Sequence, residues 1–89
     1  MSNTKVKLPN LDIDPKSLNE KTIAALKIAV ENSTISISMI QRSLMLSYKE
    51  AGLIIDKLYE LNYITEFNGA KPRDTILTKE QFKKLFGEI

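Results

Sequence analysis

Apolar positions recur at helical spacing in four stretches of the chain. In the first stretch, Ile23, Leu26 and Val30 lie three and four residues apart, so that one face of a helix would be apolar. Each stretch opens with Ser or Thr followed three residues later by Glu or Gln, the capping-box pattern of a helix start. The four pairs are Ser17 with Glu20, Ser38 with Gln41, Ser47 with Glu50, and Thr78 with Gln81. The pattern predicts helices over residues 18–31, 39–45, 48–61 and 79–86.

Two further regions have the alternation of β-strands. Residues 34–38 alternate apolar and polar side chains and are rich in β-branched residues, which predicts a short strand with Ile35 and Ile37 facing inward. Residues 63–67 and 74–77 can pair as a hairpin, because the Asn-Gly dipeptide between them tolerates the positive φ angles of a tight turn.

The predicted order of elements is helix, strand, helix, helix, strand, strand, helix. This order predicts a mostly helical α+β fold, a winged helix-turn-helix with a small three-stranded antiparallel sheet. We expect the domain to occupy residues 17–89, with the helix-turn-helix over 39–61 and the wing over 63–77. Residues 1–16 show no periodicity and are expected to form a flexible tail, although their apolar side chains could pack on the domain.

Composition limits the chemistry open to this chain of 89 residues. Hydrophobic residues make up 43% of it and charged residues 27%, which is typical of a globular domain. His, Cys and Trp are absent, which excludes thiol nucleophiles, disulfides, cysteine-containing zinc sites and histidine acid–base catalysis. We expect no catalytic residue, no metal and no cofactor, and therefore no enzyme. No apolar run is long enough to span a membrane, so we expect a cytoplasmic location.

The formal net charge of +2 is too small to indicate nucleic-acid binding by itself, so the placement of charge matters more. In a helix-turn-helix the second helix enters the major groove. Its predicted buried stripe consists of Ala51, Ile54, Ile55, Leu58 and Leu61. The opposite direction presents Lys49, Gly52, Leu53, Asp56 and Glu60. Lys49 could contact a base or a phosphate, Gly52 would permit close approach, and Leu53 points outward; a solvated helix face is the alternative.

Three residues of the predicted helix-turn-helix could contact the DNA backbone. Gln41 and Arg42 lie near the start of its first helix, where they could hydrogen-bond a phosphate. The alternatives are a capping role for Gln41 and plain solvation for Arg42. Tyr48, at the start of the second helix, could touch a phosphate through its hydroxyl or pack at the edge of the core.

The tip of the predicted wing carries Asn68, Lys71 and Arg73. Wings commonly lie along the sugar–phosphate backbone, and a basic tip suits that position. A solvated turn is the alternative reading of the same residues.

The run Ser36–Tyr48 reads S-I-S-M-I-Q-R-S-L-M-L-S-Y and resembles the gamma domain at the C-terminus of FtsK/SpoIIIE DNA translocases. The family pattern there is S-I-S-x-[VI]-Q-R-x-[LF]-x-[IL]-G-Y. The matching positions are Ser36 through Arg42, Leu44, Leu46 and Tyr48. Residues 69–77 are similar to the family wing, which ends in a G-x-[KR]-[PS]-R-[ED]-V-L type of segment. The resemblance covers residues 18–78.

The resemblance implies a winged helix that binds short polar DNA motifs, which orient a translocase toward the chromosome terminus during chromosome segregation. It also implies a tyrosine recombinase as a protein partner. Where the family carries Asn-Arg-Ala-Ala-Arg on the recognition helix, this chain has Lys49-Glu50-Ala51-Gly52-Leu53. Two arginines are thus replaced, and we expect the DNA target to differ from the family's G-rich motif. Arg42, Tyr48, Lys71 and Arg73 match the family and could hold the DNA backbone.

Two functions remain open from the sequence. The first is a sequence-reading DNA-binding domain that is a monomer when free. The second is a protein-interaction domain that uses the face of Leu53, Asp56 and Glu60, because an apolar spot rimmed by acids suits a basic protein partner. Whether the domain stands alone or belongs to a larger translocase is also left open.

Overall fold

The structure, a computed structural model, describes residues 8–67, 69 and 71–87. The fold is α+β and mostly helical, in an arrangement consistent with a winged helix. A 3₁₀ turn at Pro15–Ser17 precedes the first helix. The elements that follow are α1 (Glu20–Asn32), β1 (Thr34–Ile35), α2 (Ile37–Leu44), α3 (Tyr48–Glu60), β2 (Arg73–Asp74) and α4 (Lys79–Phe86).

Two of the four predicted capping boxes are confirmed. At the start of α3, the backbone N–H of Glu50 donates to Ser47 Oγ at 3.1 Å, and the N–H of Ser47 donates to Glu50 Oε1 at 3.2 Å. At the start of α4, Thr78 and Gln81 make the same reciprocal pair at 3.0 and 3.1 Å. Both helices therefore begin where the sequence predicts.

The predicted cap of α1 is wrong by two residues. Asn19 caps this helix, because its Oδ1 accepts from the N–H of Thr22 at 2.8 Å. Ser17 cannot serve, since it belongs to the preceding 3₁₀ turn and its hydroxyl donates to the carbonyl oxygen of Asp14 at 2.7 Å. The helix begins at Glu20 rather than at residue 18.

The predicted cap of α2 is also wrong, and the predicted strand before it is too long. Ser36 is the cap: it has an extended backbone, with φ −141° and ψ 162°, and its Oγ accepts from the N–H of Met39. The chain thus turns into α2 at Ile37, two residues earlier than predicted. Ile35 is buried in the strand as expected, whereas Ile37 starts the helix and is only partly buried.

The described residues form a two-stranded antiparallel sheet rather than the predicted three strands. Strand β1 pairs with β2, and the 63–67 segment joins only through an isolated bridge between Ile64 and Thr75. The physical reason lies at Thr65, whose N–H donates to the carbonyl of Asp74 but whose hydroxyl takes the return bond from the N–H of Asp74. The Thr65 carbonyl accepts instead from the guanidinium of Arg73, so the ladder does not extend.

The core lies where α1, α3, the sheet and the first residue of the wing meet. The whole predicted stripe of α3 is buried, which confirms the period of that helix. Tyr63 is fully buried, and its hydroxyl donates to the carbonyl of Asn10 at 2.7 Å. The N–H of Asn10 in turn donates to the carbonyl of Leu61, so this part of the predicted tail contacts the domain. Residues 1–7 of that tail lie outside the described residues, and the domain boundary at residue 17 stays a prediction.

Candidate nucleic-acid interface

A tight turn joins α2 to α3 and fixes their relative position. Met45 ends α2 in the left-handed conformation, with φ 55° and ψ 51°. The N–H of Leu46 donates to the carbonyl of Gln41 at 3.1 Å, and the Gln41 amide donates back to the carbonyl of Leu46 at 3.4 Å. Leu46 is also buried, so the packing of its side chain and the two hydrogen bonds together hold the turn in place. Gln41 therefore supports this turn and is not the capping residue predicted from the sequence.

The outward face of α3 is the candidate surface for reading bases. Lys49, Leu53, Asp56 and Glu60 are exposed there, as the sequence predicts, and Leu53 keeps 61% of its accessible surface. A Cβ built on Gly52 would meet no heavy atom within 4 Å, although this glycine lies inside the helix. Gly52 therefore leaves an open space on this face, and the next residue, Leu53, presents an exposed isobutyl group.

Ion pairs neutralise two of the three acids on α3. Glu50 Oε2 lies 3.3 Å from the Nζ of Lys21 on α1, and Glu60 Oε1 lies 3.6 Å from the Nζ of Lys57. The N–H of Ser47, together with the hydrogen bond and charge of Lys21, lowers the pKa of Glu50 below its ordinary value of 4.5. Asp56 makes no ion pair within the described part of the chain. The face is therefore less repulsive to phosphate than its sequence suggests.

A groove of about 300 Å³ lies between the start of α2, the start of α3 and the wing. Four of the predicted site residues line it together: Gln41, Tyr48, Lys71 and Arg73. Tyr48 keeps 70% of its surface, and Lys71 is exposed. The hydroxyls of Ser36 and Ser38 lie on the same wall, 3.4 Å apart. The groove thus brings a cation, a phenol and hydroxyl groups to one place.

Arg73 holds the wing against α3. Its guanidinium carbon lies 5.6 Å from the centroid of the Tyr59 ring and 5.8 Å from that of Phe67, distances at which a cation is attracted to an aromatic face. Its Nη1 also donates to the carbonyl of Thr65 at 3.4 Å. Arg73 is consequently half-buried, which the sequence did not indicate.

The structure separates the remaining predicted residues. Arg42 is exposed on α2 but does not line the groove, and neither do Lys49, Gly52 and Leu53 on α3. Asn68 lies outside the described residues. Sequence reasoning missed Phe67, which lines the groove and is 71% exposed. An aromatic residue directly before the Asn-Gly turn was the signal that could have found it.

A second groove, of about 290 Å³, lies between the start of α1 and the side of α3. Leu53 and the Lys21–Glu50 ion pair contribute to its walls. Leu53 therefore borders two surfaces, the outward face of α3 and this α1–α3 groove.

Across the described ranges, no three acidic side chains come close enough together to hold a metal ion. The same ranges contain no helix with the length and apolar character needed to cross a membrane.

Comparison with known proteins assigns the chain to a family. Residues 17–78 match the FtsK gamma domain family. The DNA translocase FtsK of Caldanaerobacter subterraneus subsp. tengcongensis is 38% identical over 76 residues, which are 85% of this chain and 10% of that protein. FtsK of Clostridium acetobutylicum is 43% identical over 56 residues, 63% of this chain and 7% of the relative. The DNA translocase SpoIIIE of Bacillus subtilis is 34% identical over 61 residues, 68% and 8% of the two chains.

The chain spans a tenth or less of the length of these relatives. Its matched region contains α1 to α3, the sheet and the wing, so the elements that form both grooves are those shared with the family. On this evidence the chain belongs to the FtsK gamma domain family.

Proposed function

We propose that the chain is a DNA-binding winged helix that reads a short duplex motif with residues 48–61 and holds the sugar–phosphate backbone with α2 and the wing. The observation that carries the proposal is the groove that α2, Tyr48 and Lys71 form jointly. A helix-turn-helix places its second helix in the major groove and its first across the backbone. A wing beside the second helix then lies next to the same duplex.

The charge of the surface supports this assignment. Arg42, Lys49 and Lys71 are exposed, and in the described ranges none of them makes an ion pair. Arg42 on α2 and Lys71 on the wing match phosphates that lie on the two sides of an inserted helix, and Lys49 lies between them on α3. Asp56 is the acid left without an ion pair, and base edges suit it better than phosphates because amino groups of bases can donate to a carboxylate.

The proposed contacts differ in kind. Lys49 and Gly52 face the bases, whereas Arg42, Tyr48 and Lys71 contact phosphates. Arg73 keeps the wing in position through its two ring contacts, and its remaining donors stay available to a phosphate. Gln41 stabilises the turn between the helices and lines the groove. Asn68, next to Gly69 in the wing, is proposed as a further backbone contact from its sequence position alone.

The relatives are named DNA translocases, and a piece of a tenth or less of their length does not carry that whole activity by itself. We propose that this domain is a non-catalytic part that directs a translocase along DNA in chromosome segregation, in the cytoplasm. Its target differs from the family's G-rich motif, because Glu50 and Leu53 replace arginines of the family pattern. The free domain is proposed to be a monomer, and a recombinase is a proposed additional partner.

The test is the salt dependence of duplex binding. Each phosphate contact contributes about −0.9 to the slope of log K against log salt for duplex DNA. We expect Arg42→Ala and Lys71→Ala each to weaken binding and to reduce that slope by about 1. Lys84→Ala removes the same charge from α4, away from both grooves, and is the matched control. A slope near zero for the wild type, or equal losses in all three variants, would contradict the proposal.

A second candidate function is supported by the exposure of Leu53 beside the α1–α3 groove. An exposed leucine on the same face as Asp56 and Glu60 suits a basic protein partner. Leu53→Lys separates the two functions, since it would disrupt a protein contact, whereas its added positive charge would strengthen the general attraction to DNA phosphates.

A further inference from the structure

Gly52 has no role in the fold that the structure shows. It is the fifth of the thirteen residues of α3, its φ is not positive, and a Cβ at this position would enter open space. Glycine inside a helix is less stable than alanine because the unfolded chain has more freedom to lose. A residue that lowers stability without any local steric reason points to a surface that approaches this backbone from outside.

Leu53, the next residue of the helix, is 61% exposed. Its neighbours on the helix surface are Lys49, one turn earlier, and Asp56, three residues later. Their charges cancel, and two further neighbours, Glu50 and Lys57, are already paired with Lys21 and Glu60. Gly52 and Leu53 point about 100° apart around the helix, and together they are the uncharged positions of this locally neutral part of α3, called the apolar step below.

The charges on the two sides of α3 indicate that the ligand bound at this step is a DNA duplex. Arg42 on α2 and Lys71 on the wing flank α3, and both are exposed cations. Phosphates on the two sides of a major groove would meet these cations while the middle of α3 faces the base edges. A neutral apolar step between two cations fits a major groove, in which the base edges lie between two phosphate backbones.

The chemistry of the nucleobase edges then indicates which base contacts this step. In the major groove, thymine alone presents an apolar group, its C5-methyl, whereas the other bases present donors and acceptors. An isobutyl group placed against those polar edges would strip them of water without replacing their hydrogen bonds. We propose that Gly52 and Leu53 together receive the C5-methyl of a thymine and make it a specificity-determining position of the DNA target. This inference rests on the proposed function, because it assigns a base to the same DNA-reading face.

The experiment removes the methyl and nothing else. A duplex selected from a random pool is remade with deoxyuridine in place of each thymine in turn, and the dissociation constants are measured for the wild type, Leu53→Ala and Leu53→Met. Losing one buried methyl is expected to weaken wild-type binding about fourfold at one position, equivalent to about 0.8 kcal/mol. Leu53→Ala is expected to bind the thymine and deoxyuridine duplexes alike, and Leu53→Met to retain the difference.

Leu11→Ala is the matched control, since it truncates another exposed leucine outside α3 and should discriminate as the wild type does. A selected motif without thymine, or a motif whose deoxyuridine forms bind Leu53→Ala and the wild type with the same ratios, overturns the inference while the proposed function stands. Failure of the wild type to bind any duplex overturns both. If the α3 face binds a basic protein instead of DNA, and Leu53→Lys abolishes that binding, the face is a protein-interaction surface and the inference is wrong.

Discussion

Gly52→Ala should make the domain more stable and its DNA binding weaker. Alanine adds a Cβ that meets nothing in the free protein, so the substitution introduces no strain. Replacing a helix-interior glycine by alanine is expected to stabilise the fold by about 0.5–1 kcal/mol. For a domain of this size, 1 kcal/mol corresponds to a change in Tm of about 4–8 °C, so Tm should rise by about 2–8 °C.

The same methyl group would occupy the gap through which, in the proposed function, α3 approaches the bases. We expect it to hold the helix farther from the groove and to weaken duplex binding about tenfold, or about 1.4 kcal/mol. Thermal melting followed by circular dichroism gives the stability, and fluorescence anisotropy with a labelled duplex gives the affinity. Opposite signs in the two measurements are what separate a functional glycine from a merely tolerated one.

Gly87→Ala is the control of opposite sign. Gly87 follows α4 with a φ of 80°, a conformation that alanine adopts only with strain, so its substitution should lower stability and leave DNA affinity unchanged. Two results would refute the reasoning on Gly52. One is a lower Tm for Gly52→Ala, which would mean that the fold itself needs this glycine; the other is unchanged affinity, which would mean that nothing approaches it closely.

Three further predictions test the structure away from the DNA-reading face. Ser36→Ala should cost about 1 kcal/mol because Ser36 caps α2, whereas Ser38→Ala should cost little; a larger loss for Ser38→Ala in chemical denaturation would argue for the cap that the sequence predicted. Tyr63→Phe removes one buried hydrogen bond and should cost about 1 kcal/mol, and a neutral effect in the same assay would speak against that bond. The lowered pKa of Glu50 means that its charge stabilises the fold above its unfolded pKa and loses this effect as pH falls through the folded value. Glu50→Gln should therefore be less stable than the wild type at neutral pH and converge on it in acid, and a difference independent of pH would mean that the charge of Glu50, favoured by the N–H of Ser47 and by Lys21, is not the cause.

Periodicity predicted the helices well because their signal is distributed over many residues. The stripe of α3 from Ala51 to Leu61 is buried as a whole, and α4 has the predicted bounds. Capping depends on single residues, and there the sequence offers equivalent choices two positions apart. Asn19 prevails over Ser17 because a 3₁₀ turn occupies Ser17, and that turn follows from Asp14 and the proline after it rather than from any helical pattern.

The wing was predicted less well because side chains compete for its backbone groups. The alternation of residues 63–67 is that of a strand, yet the hydroxyl of Thr65 and the guanidinium of Arg73 take two hydrogen bonds that a regular ladder would use. Arg73 itself looked like a free cation at a turn. Only the folded chain brings Tyr59 and Phe67 to either side of it.

The sequence could predict which residues the candidate site contains, but not which of them lie together. The sequence correctly indicates that Lys49, Leu53 and Asp56 face outward, since helical geometry alone decides this. It does not indicate that Gln41 bridges the turn to Leu46, or that Glu50 is paired with Lys21 across 29 positions of the chain. Contacts between distant segments arise from tertiary packing, which a local pattern does not contain.

The central claim is that this domain reads a short sequence in duplex DNA. The most direct test is a selection of bound duplexes from a random pool at about 0.15 M salt, where the Debye length is about 8 Å and distant charges are screened. Our account predicts an enriched motif that includes a thymine and departs from a G-rich sequence, together with loss of enrichment when Lys49 is replaced by alanine. A pool that shows no enrichment with the wild type, while Arg42→Ala leaves the residual binding unchanged, would contradict it.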